Sequence, residues 1–281
     1  WWVERGPRVI QVDPEEEFIA VYHRGDYEVH HRVVRRVEGA PVEGVDNVMV
    51  FSIDSTSRAN FMRSLPELAL FLERLNLGTK FRSFVFNRFN GLFPGTSATN
   101  FSPMFSGQRY DPEALRSERW RTHIYRNPEV KEQDWIWNWL KKRGYVTAVG
   151  IGECGGAFGS YSWPKEGFDH VAPVYVDNCF YHYREEVNKG EGYCIKNKHP
   201  HELLQEYILD FWNKYSDTKK FAWVNLIEAH TANQFAMNVI QNSSINFVER
   251  VLEGENTILF VLSDHGREGG IEQRLPLLNM I

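Results

Sequence analysis

Four short apolar runs set the limits on what this chain can become: VMVFSI (residues 48–53), YVTAVGI (145–151), FAWVNLI (221–227) and TILFVL (257–262). Each is almost continuously hydrophobic and rich in β-branched residues, the pattern of a strand buried on both faces. Between them lie stretches with helical period. Residues 58–75 repeat apolar positions at three and four, with Pro66 placed to open a first turn. Residues 97–105 and 245–252 form shorter helices, and 133–143 forms one closed by Gly144 just past its end. In 200–215, Leu203, Leu204, Tyr207, Ile208 and Phe211 recur on one helical face. Residues 80–89 read as a further strand, and 155–198, rich in Gly and aromatics, as a long structured insertion. Buried strands alternating with amphipathic helices imply an α/β fold, a mainly parallel sheet sandwiched by helices.

Residues 1–45 are charged, with short β-rich runs, and read as an irregular or hairpin lead-in to a domain spanning 46–281. At 281 residues with 42% hydrophobic side chains, the chain can bury a substantial core. A net charge of −5, with no basic stretch interleaved with aromatics, disfavours nucleic acid as a partner. No run of 18 or more apolar residues offers a membrane span. The chain opens Trp1-Trp2-Val3 rather than with Met, so an N-terminal piece is expected to precede it, where a signal peptide or membrane anchor could reside. Cys154, Cys179 and Cys194 fit either one disulfide plus a thiol or three buried thiols. Asn100-Phe101-Ser102 and Asn242-Ser243-Ser244 are glycosylation sequons, triplets that chance also produces.

In open parallel sheets, ligands bind beyond the carboxyl ends of the strands. The four runs are followed by Asp54, by Glu153, by Glu228 and His230, and by Asp264-His265-Gly266. All four ends therefore carry an acid or a histidine toward one rim. An Asp after a strand is as readily the cap of the next helix, and Asp54 alone decides nothing. An adjacent Asp264-His265 pair backed by glycine suits a divalent cation held by carboxylate and imidazole. Glu153, Asp169 and His170 are pocket candidates in loops above the rim, or simply solvated. Trp135, Trp137 and Trp139 alternate at two-residue spacing, so a helix cannot present them on one side; core and interface packing is expected.

The strand followed by Asp54-Ser55-Thr56-Ser57-Arg58, the Gly95–Gly107 segment (GTSATNFSPMFSG) and the SDHG tetrapeptide Ser263–Gly266 stand in an order that resembles the alkaline phosphatase superfamily. The resemblance is nearest to the sulfatase-like proteins of animals, a domain of unknown function found secreted or membrane-anchored. It extends over residues 47–278, taking in 137–152, 192–215 and 272–278. It implies that Asp54, Asp264 and His265 are metal ligands and that Ser97, nine residues before Ser106-Gly107, is the nucleophile. Thr96 is the adjacent alternative, and Ser97 as a plain helix cap remains open. Asn100 and His230 match substrate-contacting positions, although a lone histidine is about as readily a packed core residue.

Formylglycine sulfatases need Cys-x-Pro-x-Arg where this chain has Ser97-Ala98-Thr99-Asn100-Phe101. Sulfate-ester chemistry by that route is therefore disfavoured, and a hydroxyl nucleophile implies phosphoryl transfer. Two-metal relatives carry an Asp where Leu226 stands, and no histidine follows His265, so a single-metal arrangement like that of the phosphoglycerol and phosphoethanolamine transferases fits better. The resemblance implies zinc or manganese as cofactor, a phosphate-ester substrate, and an extracellular or secretory-pathway setting. It also implies a domain truncated at its C-terminus. The rival expectation is a secreted binding or structural protein on a decayed version of the same fold.

Overall fold

A computed structural model of the chain describes residues 11–23, 26–44, 46–78, 80–87, 89, 91, 97–107, 135–152, 167–172, 198–229, 236–254, 256–266 and 278–280. The lead-in forms a hairpin, β1 (Phe18–His23) antiparallel to β2 (Asp26–His31). The main sheet comprises β3 (Asn47–Ile53), β4 (Phe84–Val85), β5 (Val146–Ile151), β6 (His170–Val171), β7 (Lys220–Leu226), β8 (Thr257–Leu262) and β9 (Leu278–Met280). Its order is β4-β9-β8-β3-β7-β5-β6. The five strands β8, β3, β7, β5 and β6 run parallel, while β9 and β4 are antiparallel at one edge. The mainly parallel α/β sheet expected from the sequence is the one observed.

Alternation along the strands assigns two cores. Met49, Phe51 and Ile53 of β3, Ala222, Val224 and Leu226 of β7, and Leu259 and Val261 of β8 face one side. That side is covered by α1 (Arg58–Ser64), α2 (Pro66–Leu75), the later helix Pro200–Lys214 and the last helix Gln241–Glu253. Val50, Phe221, Trp223, Val149 and Leu262 face the other, under α3 (Ser97–Ser106) and α4 (Ile136–Lys141). Numbered on in chain order, Pro200–Lys214 is α5 and Gln241–Glu253 is α6. Burial of each such side chain is worth about 1.5–3 kcal/mol, so both layers are firmly held.

Several boundaries differ from the sequence reading for identifiable reasons. The helix expected over 58–75 is two helices, because Pro66 has no N–H to continue the ladder and Leu65 leaves helical geometry at φ −126°. The strand expected over 80–89 shrinks to Phe84–Val85 on an exposed edge, where β9 is its one partner among the described residues. Trp137 is fully buried, whereas Trp139 is half exposed with the Arg143 guanidinium 3.4 Å from its ring centre. Gly144 does end α4: its φ is +82°, and a Cβ there would stand 2.6 Å from the Ala40 Cβ. The three cysteines, and the insertion apart from residues 167–172 and 198, lie outside the described residues.

Asp169 and His170 do not sit above the rim. Asp169 accepts from the Thr147 N–H and hydroxyl, both at 2.9 Å, near the amino end of β5. His170 is buried between Glu17 (3.2 Å) and the Tyr215 hydroxyl (2.9 Å), and Tyr207 donates to the other Glu17 oxygen at 3.2 Å. Burial raises the Glu17 pKa, but hydrogen bonds from His170 and the Val34 N–H outweigh it and hold the carboxyl below its usual value. These residues fasten the lead-in to the sheet. The composition around them hid a two-residue edge strand.

Candidate metal centre

The face of the sheet covered by α3 runs past the carboxyl ends of its strands into the acids. In β3, Val50, Ser52 and then Asp54 follow at two-residue steps; in β8, Leu262 leads to Asp264. β3 and β8 are direct parallel neighbours with Ser52 opposite Leu262, so both acids emerge side by side. The Asp54 N–H still bonds to the Leu226 carbonyl at 2.8 Å, which carries the strand path one residue further.

Beyond it the chain turns sharply. Ser55 adopts φ +55°, a left-handed conformation that a non-glycine residue takes only at a cost, here at the rim of the site. Its N–H then reaches Asp264 Oδ1 at 3.2 Å. Thr56 N–H donates to Ser263 Oγ (2.9 Å), which in turn donates to the His265 carbonyl (2.8 Å). Two loops more than 200 residues apart are thereby stitched together.

The third contribution comes from α3. Phe101 and Phe105, one helical turn apart, lie against Trp223 with ring centres 4.9 and 4.5 Å away. Ser97 is one turn before Phe101 on the same face, so the packed rings aim its hydroxyl at the acids. It donates to Asp54 Oδ2 at 3.1 Å and stands 3.4 Å from His265 Nε2. Gly107, at φ +68°, closes the helix and caps the Pro103 carbonyl.

Asp54, Asp264 and His265 are fully buried, and one ligand atom from each lies within 4.8 Å of the others. His265 Nδ1 is 2.6 Å from the Gly266 carbonyl, which can only accept; Nδ1 therefore carries a proton, and in the neutral ring Nε2 presents a lone pair. Nε2 is 3.3 Å from Asp264 Oδ2 and 3.7 Å from Asp54 Oδ1, two buried oxygens with no hydrogen-bond partner. Three such atoms facing one another in a fully buried site are unfavourable unless a cation or a proton sits among them. The donor set, two carboxylates and an imidazole, fits a divalent ion such as zinc or manganese.

The same crowding raises the Asp264 pKa to about 6, through burial first and then the neighbouring Asp54 charge, with His265 opposing. The sign for the metal-free chain follows. A carboxyl that titrates near 3.8 when unfolded and near 6 when folded adds stability below pH 4 and loses it as pH rises through 6. Urea unfolding in a chelator should show this group's contribution declining by on the order of 2 kcal/mol between pH 4 and 7. Asp264→Asn should remove that part of the slope; parallel pH profiles for the two proteins would contradict it.

Of the residues singled out from sequence, the structure brings Asp54, Ser97, Asp264 and His265 together, with Asn100 buried in the first turn of α3. A glycan on Asn100 is incompatible with that burial, whereas Asn242 is exposed in α6. Thr96, Glu153 and His230 lie outside the described residues. Glu228, the rim acid after β7, is buried against His201 Nδ1 at 3.0 Å. The sequence reading missed Ser52, Ser55, Asn225 and Ser263. A usable signal did exist for two of them: Ser52 and Asn225 are polar interruptions near the ends of otherwise apolar runs.

Comparison with known proteins agrees with this architecture. A search of curated proteins finds no match. Among solved structures, a protein in the alkaline phosphatase superfamily from Vibrio parahaemolyticus superposes with a TM-score of 0.56 at 15% identity, over 89% of this chain and 65% of that one. The C-terminal periplasmic domain of EcEptC from Escherichia coli, solved in complex with Zn, gives 0.54 at 13% identity, over 86% and 74%. The integral membrane protein lipooligosaccharide phosphoethanolamine transferase A (EptA) from Neisseria meningitidis gives 0.52 at 14% identity, over 87% and 49%. This chain thus spans about two thirds of the Vibrio protein and half of the Neisseria one. Residues 2–278 match the family described as Protein of unknown function (DUF229). The chain belongs to the DUF229 family and is built on the alkaline phosphatase superfamily fold.

Proposed function

We propose that this chain is a metal-dependent hydrolase or transferase acting on a phosphate ester, with Ser97 as nucleophile and Asp54, Asp264 and His265 holding zinc or manganese. The observation that carries the reading is the pair of buried carboxylate oxygens, Asp54 Oδ1 and Asp264 Oδ2, left without hydrogen bonds beside His265 Nε2. The Zn-bound EcEptC domain and the Neisseria phosphoethanolamine transferase, which share the fold, support it by analogy.

A divalent ion at such a site lowers the pKa of a nearby hydroxyl and neutralises charge on phosphoryl oxygens. The chain's own residues supply the rest. Ser97 begins α3, where the helix dipole favours an anion. Its hydroxyl already points at a carboxylate oxygen through which the proton can leave. Attack on phosphorus forms the Ser97 Oγ–P bond as the ester P–O bond breaks, and the leaving alcohol takes away the proton passed through Asp54; water or an acceptor alcohol then displaces Ser97 Oγ from the phosphoryl group. Asn100 and His230 are assigned to substrate, residues 46–281 to the catalytic domain with 1–45 as its lead-in, and the setting to the secretory pathway or cell exterior. Among the described residues no helix is long and apolar enough to cross a membrane.

The test is zinc and manganese titration of the wild type and Asp264→Asn, read by calorimetry and by hydrolysis of bis-p-nitrophenyl phosphate. Uptake of one ion with Kd at or below the micromolar range, lost in Asp264→Asn together with turnover, is expected. No uptake of either ion by the wild type would leave only the decayed-fold reading.

A further inference from the structure

A chain of polar side chains runs through the apolar layer beneath α3 and ends on Asp54. Trp223 Nε1 donates to Ser52 Oγ at 2.9 Å. An indole N–H can only donate, so the hydroxyl must accept there and pass its single proton onward. The shortest onward contact is Asn225 Oδ1 at 2.6 Å, closer than the Val224 carbonyl at 3.0 Å. The amide oxygen accordingly faces Ser52 and its NH2 faces Asp54 Oδ2 at 3.5 Å; the flipped amide would set oxygen against a carboxylate. Ser52 and Asn225 are paired directly across β3 and β7, so backbone register holds the link. Trp223, Ser52, Asn225 and Asp54 are all 0% exposed, so the link is shielded from bulk solvent.

We propose that Asn225 is a positioning residue for Asp54, oriented from behind by Ser52 and Trp223. This rests on Asp54 being a metal ligand. The carboxylate has two distinct oxygens: Oδ2 takes Asn225 and Ser97, while Oδ1 takes no hydrogen bond and stands beside His265 Nε2. Both donors on Oδ2 are neutral, so they turn the carboxylate plane without cancelling the charge available to a cation. Once Ser97 gives up its proton, Asn225 is, among the described residues, the side-chain donor left on that oxygen, and the carboxylate keeps its orientation. Partners of this kind behind a ligand typically set metal affinity by 10–100-fold.

The test measures zinc affinity by competition with a chromogenic chelator, with thermal melts alongside. Asn225→Leu should weaken zinc binding by about 10–100-fold, and Ser52→Ala by about tenfold, even though Ser52 touches no ligand atom of the site. Ser52→Thr, which keeps the hydroxyl, should bind within about threefold of the wild type. Should Asn225→Leu fail to fold, the Ser52 pair decides alone. An unchanged Kd in Ser52→Ala, or equal losses in Ser52→Ala and Ser52→Thr, overturns the proposal, because packing rather than the relay is then responsible. A wild type that takes up no zinc overturns the metal reading and this inference with it; a wild type that binds while the relay variants bind equally well overturns this inference alone.

Discussion

Replacing Ser97 by alanine should lower the hydrolysis of bis-p-nitrophenyl phosphate by about 10³-fold or more, the scale seen when an attacking group is removed and only binding and electrostatics remain. The expectation follows from position. The Ser97 hydroxyl is 3.1 Å from Asp54 Oδ2 and 3.4 Å from His265 Nε2, at the amino end of α3. The substitution removes one oxygen and leaves Phe101 and Phe105 seated on Trp223. Metal content and melting temperature should therefore change little. Thr96→Ala should retain activity within a factor of a few. Equal rates for the wild type and Ser97→Ala would remove the nucleophile assignment, and a loss confined to Thr96→Ala would move it by one residue.

The second large effect should come from Phe101→Ala. Phe101 is fully buried, edge-on to Trp223 and stacked with Phe105 at 5.6 Å. Deleting a buried phenyl ring costs about 3–5 kcal/mol through lost transfer energy and the cavity left behind. For a chain of this size that lowers the melting temperature by roughly 10 °C. Function should suffer as well, because this ring sets where the first turn of α3 lies over Asp54. Phosphatase activity at a temperature where the variant remains folded should fall at least about tenfold, since small misplacements of a reacting group are costly. Phe101→Ala with wild-type stability would mean that α3 is not anchored through this contact. Full activity in a destabilised variant would mean that the anchor does not place Ser97.

The strands were legible because burial on both faces erases the usual alternation and leaves near-continuous apolar runs. The proposed metal ligands were legible because they stand one to three residues past such a run, where a parallel sheet delivers its side chains to one rim. Asp54, Asp264 and His265 needed no more than that, together with the resemblance that named their roles. What supports them was hidden. The left-handed turn at Ser55 has no marker in residue type, since serine is not a residue that announces positive φ. The pairing of Glu17 with His170 links segments 153 residues apart through a two-residue strand, too short to have a period. Glu228 read as an acid at the rim and is engaged by His201, a partner on the preceding helix that sequence order does not reveal.

The stitching of the Asp54 loop to the Asp264 loop has a consequence for biosynthesis. The two loops are separated by 209 residues of chain, and they meet only when β8 zips onto β3. A nascent polypeptide that has emerged as far as α6 displays one carboxylate and no imidazole of the trio, so it has nothing that grips an ion. On the proposed function, metal uptake would therefore belong to the closing stage of folding, once β8 has joined β3.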